Sequence, residues 1–165
     1  MTADEAQKEL LAAIGLAVVQ TQTTERMMNL AFTYILDLGP TMTLEKLLNL
    51  RNKKMTLGQM IDGIQKYVDL NDDFLAVLDE FLDKRNSVIH RFQTIEGISF
   101  SSPSGVIAGL DYVERLLSLN KIVLRVLKSL AVHWAAANPD VPQMEFEAEI
   151  PEEALHLIFF KKDLR

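Results

Sequence analysis

The residues best placed to do chemistry lie in a short run that reads Arg85-Asn86-Ser87-Val88-Ile89-His90. An arginine keeps its proton at ordinary pH and offers a planar fork of donors to carboxylate or phosphate. An imidazole can take and give a proton near neutrality. In a helical projection at about 100° per residue, Arg85 falls inside an apolar stripe. Phe74, Leu78, Phe81, Leu82, Val88, Ile89 and Phe92 all lie within roughly 60° of it. A guanidinium aimed at a core needs a carboxylate, a neighbouring subunit or a phosphate opposite it. Asn86 and His90, spaced i and i+4, share a face at the edge of that stripe.

Glu25 is a candidate carboxylate. It shares a stripe of the first helix with Ile14, Val18, Met28, Phe32 and Ile35. The alternative is a helix rotated or bent near Thr21, which would leave Glu25 in solvent. Asp79, Asp83, Asn86 and His90 fall along one polar strip. Asp79, Asp83 and His90 are conceivable metal ligands, but a solvated face accounts for them as well, so neither a metal nor a cofactor is expected. His133, beside Trp134, reads as helix packing, and His156 is isolated from any ligand pattern. The basic run Arg51-Asn52-Lys53-Lys54 is either a solvated turn or an RNA-backbone contact that salt would weaken. Met27, Met28, Met55 and Met60 read as adaptable core filling. No glycine-rich phosphate loop, Ser-His-Asp order or zinc spacing is present.

The elements that must position these groups are helical. A first helix is expected from near Ala3, capped by Thr2-x-x-Glu5, to Leu38, where Gly39-Pro40 stops it. Its length implies either one long rail or a break near Gly15 or the Gln20–Thr24 polar patch. A short helix is expected over Thr43–Leu50. Thr56-x-x-Gln59 opens another, to about Val68. Asn71 or Asp72 caps the helix that carries Arg85 and runs to about Gln93. A loop follows from Gly97 to Gly105. The last long helix runs from about Val106 to Ala137, before Asn138-Pro139. Val141–Ile150 reads as extended. Pro151 opens a short final helix through Phe160, although Leu157–Phe160 could equally be a strand. The expected fold is all-α: an antiparallel helical bundle with long helices, residues 1–138, and a small C-terminal appendage, residues 139–165, packed on the bundle or on a partner subunit.

A chain of 165 residues, 48% hydrophobic and 24% charged, can bury one core without staples. With no cysteine, disulfides and thiolate metal sites are excluded. A net charge of −6 argues against a protein that coats nucleic acid without regard to sequence, though not against a local phosphate site. The most apolar run, Leu10–Val19, is about half the length of a membrane span. An acidic start is unlike a signal peptide. A soluble, cytoplasmic protein with no membrane partner is expected.

The string Arg85-Asn86-x-x-x-His90 resembles the signature of the HEPN superfamily: an arginine, a polar residue directly after it, and a histidine four to six positions downstream. The flanks are similar too. Leu75-Ala-Val-Leu-Asp-Glu-Phe-Leu-Asp-Lys84 leads in, and Arg91-Phe92 follows. The resemblance covers mainly residues 20–95. It implies a helical bundle, commonly a homodimer. Many members are metal-independent endoribonucleases of toxin–antitoxin, defence or RNA-degrading systems, and others are catalytically inactive binding modules. In toxins paired with nucleotidyltransferase antitoxins a tyrosine follows the histidine by two residues. Here that residue is Phe92, which has no hydroxyl to modify.

The resemblance implies RNA cleavage by the substrate's own 2′-hydroxyl. His90 would transfer protons, Arg85 would stabilise charge on the phosphorus, and Asn86 would orient them. Lys84 and Arg91 would hold RNA, and Glu25 would be the structural partner of Arg85. Arg85 and His90 point about 140° apart on a straight helix, which suggests that two subunits together complete a site at their interface. The expected partners are a second copy, RNA and an antitoxin protein. The alternative is a catalytically inactive module of the same kind that binds a protein or a nucleotide.

Overall fold

Helix α1 (Ala3–Ala31), helix α2 (Asp72–His90) and helix α3 (Pro103–Ala137) carry the fold, with short strands β1 (Val68–Leu70) and β2 (Ile158–Phe160) beside them. The computed structural model describes residues 3–31, 58–59, 61–62, 68–137 and 158–160. The all-α bundle expected from the periodicity is present.

Helix α1 is continuous through Gly15 and through Gln20–Thr24. The polar patch does not break it because its hydroxyls bond back to the preceding turn. Thr21, Thr23 and Thr24 donate to the carbonyls of Val18, Val19 and Gln20 at 3.1, 3.1 and 3.3 Å. Leu10, Ala17, Thr21, Thr24 and Met28 recur at helical spacing and are buried.

Helix α2 starts where the sequence indicates. Asn71 has extended backbone, and its side chain accepts from the Asp73 N–H at 2.7 Å. Its end differs from expectation. The helix stops at His90, not Gln93, and a single 3-10 turn, Phe92–Thr94, follows. Phe92 is buried there, its ring centroid 6.0 Å from that of Phe100. Burying that ring turns the chain off the helix axis. Gly97, at φ +81°, then reverses the chain in a conformation that favours glycine.

Helix α3 begins three residues before the expected Val106, at Pro103. Ser102 caps it, its hydroxyl accepting from the Gly105 N–H at 3.2 Å. A proline at the first helical position sacrifices no helical hydrogen bond, so Ser-Pro opens this helix instead of ending the loop. Gly105 lies against the loop so closely that a Cβ would sit 2.6 Å from Ser99 N and Cβ.

The core lies chiefly between α1 and α3, with α2 completing it. Val113, Leu116, Leu119 and Val123 of α3 and Phe81 and Leu78 of α2 are among its most buried members. The starts of α1 and α3 are adjacent: Gln7 donates to the Phe100 carbonyl, and the Leu10 methyls crowd Gly109. Helix α2 runs antiparallel to α3, with Glu80 level with Arg115 and Lys84 level with Tyr112.

Strands β1 and β2 pair antiparallel, Val68 opposite Phe160 and Leu70 opposite Ile158. The helix expected to reach about Val68 has therefore given way to a strand by that residue, and Ile158–Phe160 takes the strand alternative. Ile158, Phe159 and Phe160 suit a pleated ladder, whereas β1 offers only Val68 of the β-branched type. Residues 58–59 and 61–62 are helical. The Thr2 cap, the first helix beyond Ala31, the Thr43–Leu50 helix, the Arg51–Lys54 turn and the Val141–Ile150 segment lie outside the described residues. Among the described residues no helix is long and apolar enough to cross a membrane.

Candidate functional site

Arg85 projects from the last third of α2 toward α1. Its Nη2 lies 2.5 Å from Glu25 Oε1, and the two side chains are 18% and 23% exposed. The counter-charge that the sequence demanded is thus a carboxylate of the same chain. The contact is ionic in distance, but no N–H points along it, and Arg85 Nε is buried without a hydrogen-bond partner. Nη1 donates to Asn86 Oδ1 at 2.9 Å. The guanidinium is therefore held between α1 on one side and the amide of its own neighbour on the other.

His90 is the last residue of α2 and is exposed. It follows Asn86 by four residues, so the amide stands between the guanidinium and the imidazole along the helix surface. Ser87, within the same turn, is buried and accepts from Arg91 Nη2 at 3.4 Å. Arg91 also lies 3.7 Å from Asp83 Oδ1, in a pair that is well exposed on both sides. The free end of the helix therefore presents His90 and Arg91 to solvent.

Lys84 goes elsewhere. Its Nζ sits 4.0 Å above the centre of the Tyr112 ring. It is also 4.0 Å from Glu80 Oε1. Consecutive helical residues diverge by about 100°, so Lys84 faces α3 while Arg85 faces α1. Of the expected site residues, the fold brings Glu25, Arg85 and Asn86 together, sets His90 and Arg91 at the helix end, and engages Lys84 with its neighbours. Asp79, Asp83 and His90 are all exposed. Among the described residues no group of three or more His, Asp or Glu is placed to hold a metal ion. The His133 side chain and His156 lie outside what is described.

Sequence reasoning missed an ion pair between α2 and α3 beside the motif. Arg115 Nε donates to Glu80 Oε1 at 2.8 Å, and its Nη2 contacts the other carboxylate oxygen. The hydrogen bond from Arg115 holds the Glu80 carboxyl below its ordinary value, partial desolvation opposes this, and the charges of Arg115 and Lys84 add to the lowering. The Arg115 guanidinium is raised by the same bond. No local pattern announces this pair, because its members are on different helices.

Compared with known protein families, curated proteins and solved structures, the chain matches none.

Proposed function

We propose that the chain is a HEPN-like, metal-independent endoribonuclease of the toxin or defence kind, with Arg85, Asn86 and His90 as its reactive group. The observation that carries this reading is the hydrogen bond from Arg85 to Asn86, one turn before an exposed His90. It supports a fixed guanidinium, an orienting amide and a solvent-facing imidazole on one helix end. In the proposed reaction the 2′-oxygen attacks phosphorus as His90 takes its proton. The P–O5′ bond breaks, and the leaving 5′-oxygen takes a proton from water, giving a 2′,3′-cyclic phosphate and a 5′-hydroxyl; His90 then returns its proton to solvent. The guanidinium stabilises charge on the equatorial oxygens. Glu25 lowers the cost of keeping the cation half-buried, and Arg91, exposed and loosely paired with Asp83, stands at the same helix end. The dimer implied by the resemblance would complete the site by bringing the Arg85 and His90 of a second copy to this helix end, while Glu25 balances each guanidinium within its own chain.

A second reading has its own support. Both terminal nitrogens of Arg85 are engaged within the chain, and Lys84 is committed to Tyr112 and Glu80. That favours a catalytically inactive helical module binding a protein or nucleotide partner. Cleavage of RNA by the wild type, His90→Ala and Arg85→Ala in excess chelator decides between them. The nuclease reading expects cutting by the wild type alone; equal cutting by all three, or none, contradicts it.

A further inference from the structure

In a chain of net charge −6, the second half of α3 carries no acid. From Leu116 to Ala137 its charged residues are Lys121, Arg125 and Lys128. They are spaced i, i+4 and i+7, so they form one stripe, roughly 10 Å long, on a single face of the helix. Lys121 and Arg125 are exposed, Lys128 is half-buried, and exposed Ser118 extends the stripe by one step. None of the three cations has an ion pair among the described residues. Like charges at such spacings repel, so the helix holds them together against their own field.

The neighbouring elements leave that charge unanswered. Helix α2 packs on the side of α3 that carries Tyr112 and Arg115. That side is more than about 100° round the helix from the centre of the stripe, so the exposed acids Asp72, Asp73 and Asp79 of α2 belong to another face. On α1, Glu25 is tied to Arg85, and the one other charge past Glu9 is a further cation, Arg26. Asp111 and Glu114 share the face of the stripe but stand nearer the start of α3. Glu114 is about 10 Å from Lys121 along the axis, so these acids bound the positive region without neutralising it.

The motif end is the opposite case. Lys84, Arg85 and Arg91 each face a carboxylate, of Glu80, Glu25 and Asp83. A polyanion reacting at His90 gains little attraction there and finds unpaired cations further along the bundle. No aromatic residue occurs between Tyr112 and Trp134. The stripe therefore offers charge without a stacking platform, which suits a sugar–phosphate backbone and ignores the bases. Lys84 is level with Tyr112. His90 lies six residues from Lys84 toward the start of α3, and Lys121 lies nine residues from Tyr112 the other way, about 23 Å in all. A stacked strand covers this in roughly seven nucleotides.

We propose that Lys121, Arg125 and Lys128 are a backbone-phosphate site for single-stranded RNA, remote from the Arg85–His90 end. The inference rests on RNA as the ligand, as in the nuclease reading, but not on its cleavage.

The test is equilibrium binding of the full chain to a fluorescent RNA of about 12 nucleotides, read by anisotropy across salt. Its 2′-O-methyl groups prevent cutting through the 2′-oxygen, and circular dichroism confirms that each variant is folded. On a single strand each phosphate contact adds about −0.7 to the slope of log affinity against log salt, so three add about −2. The triple variant Lys121→Ala, Arg125→Ala, Lys128→Ala is expected to lose that part of the slope and to bind about tenfold or more weakly at low salt. Glu114→Lys, which lengthens the stripe, is expected to bind more tightly, a gain that misfolding cannot produce. No binding by the wild type, binding that the triple variant leaves unchanged, or binding that Glu114→Lys weakens overturns the proposal. So does a poly-glutamate peptide held by the three cations in place of the RNA, which would assign the stripe to an acidic protein. Binding through the stripe without cleavage of ordinary RNA removes the nuclease reading alone. Cleavage by a chain whose RNA binding ignores the three cations removes the stripe alone.

Discussion

Arg85 crosses from α2 to α1 and places Nη2 2.5 Å from Glu25 Oε1. This contact ties the motif helix to the first helix and answers, inside one chain, the need of a cation planted in an apolar stripe. Removing the carboxylate leaves a half-buried guanidinium with only Asn86 beside it. Glu25→Gln is expected to destabilise the fold by about 1–3 kcal/mol, less than a fully buried pair because both side chains keep some solvent. Replacing Arg85 by Met in the same background recovers most of that loss. Urea unfolding of the four members of the cycle checks it; a Glu25→Gln change within a few tenths of a kcal/mol would show that the pair contributes no stability.

Glu80 makes stability depend on acid. Its carboxyl is lowered from 4.5 when folded, chiefly by the hydrogen bond from Arg115. The unfolded chain therefore binds this proton more readily than the folded one. The contribution of the pair is present above the unfolded value and is lost as pH falls through the lowered native value. Thermal melts from pH 6 down to pH 3 are expected to show a shallower acid limb for Glu80→Gln than for the wild type. The difference should shrink in high salt, since the pair is exposed.

Three glycines should respond differently to one methyl group. At Gly15, in mid-helix, a Cβ meets nothing within 4 Å. Gly15→Ala is expected to stabilise by about 0.5–1 kcal/mol through helix propensity and a less free unfolded chain. At Gly105 the Cβ would strike Ser99 backbone and side chain below 3.0 Å, so Gly105→Ala should cost about 1–3 kcal/mol. Gly109→Ala falls between, because the atoms it meets are the movable methyls of Leu10 at 3.0 and 3.1 Å. Denaturant midpoints rank the three.

Asn120 is 2% exposed, and its Oδ1 has no hydrogen-bond partner. Leaving a buried acceptor unsatisfied costs about 1–3 kcal/mol. Asn120→Leu, close in volume, is expected to leave stability unchanged or raise it. A loss above about 1 kcal/mol would mean that the amide makes bonds that the folded chain needs.

Much of this architecture was written in local chemistry. Asn71 announces the start of α2, and the periodic apolar residues of α1 and α3 announce long amphipathic helices. The polar patch at Gln20–Thr24 was ambiguous because a threonine run can either break a helix or bond back to it, and only the packed helix shows which. Helix α3 starts earlier than its apolar pattern indicates because Ser102-Pro103, a pair that also suits a loop, is a cap followed by a first-turn proline. Within the site, Glu25 and Arg85 were legible as a pair because each is a charge on an apolar stripe. The placement of Lys84 over Tyr112 and the Glu80–Arg115 bridge was not, since both depend on the register of α2 against α3.

The proposed chemistry uses the 2′-hydroxyl as nucleophile, so the most direct measurement compares the wild type on an RNA oligonucleotide with the same sequence carrying 2′-O-methyl groups, in excess chelator, with the product ends identified by mass spectrometry. The account predicts cleavage of the first alone, to a 2′,3′-cyclic phosphate and a 5′-hydroxyl, abolished by His90→Ala. Cleavage of both substrates, 5′-phosphate ends, or a His90→Ala protein as active as the wild type would contradict it.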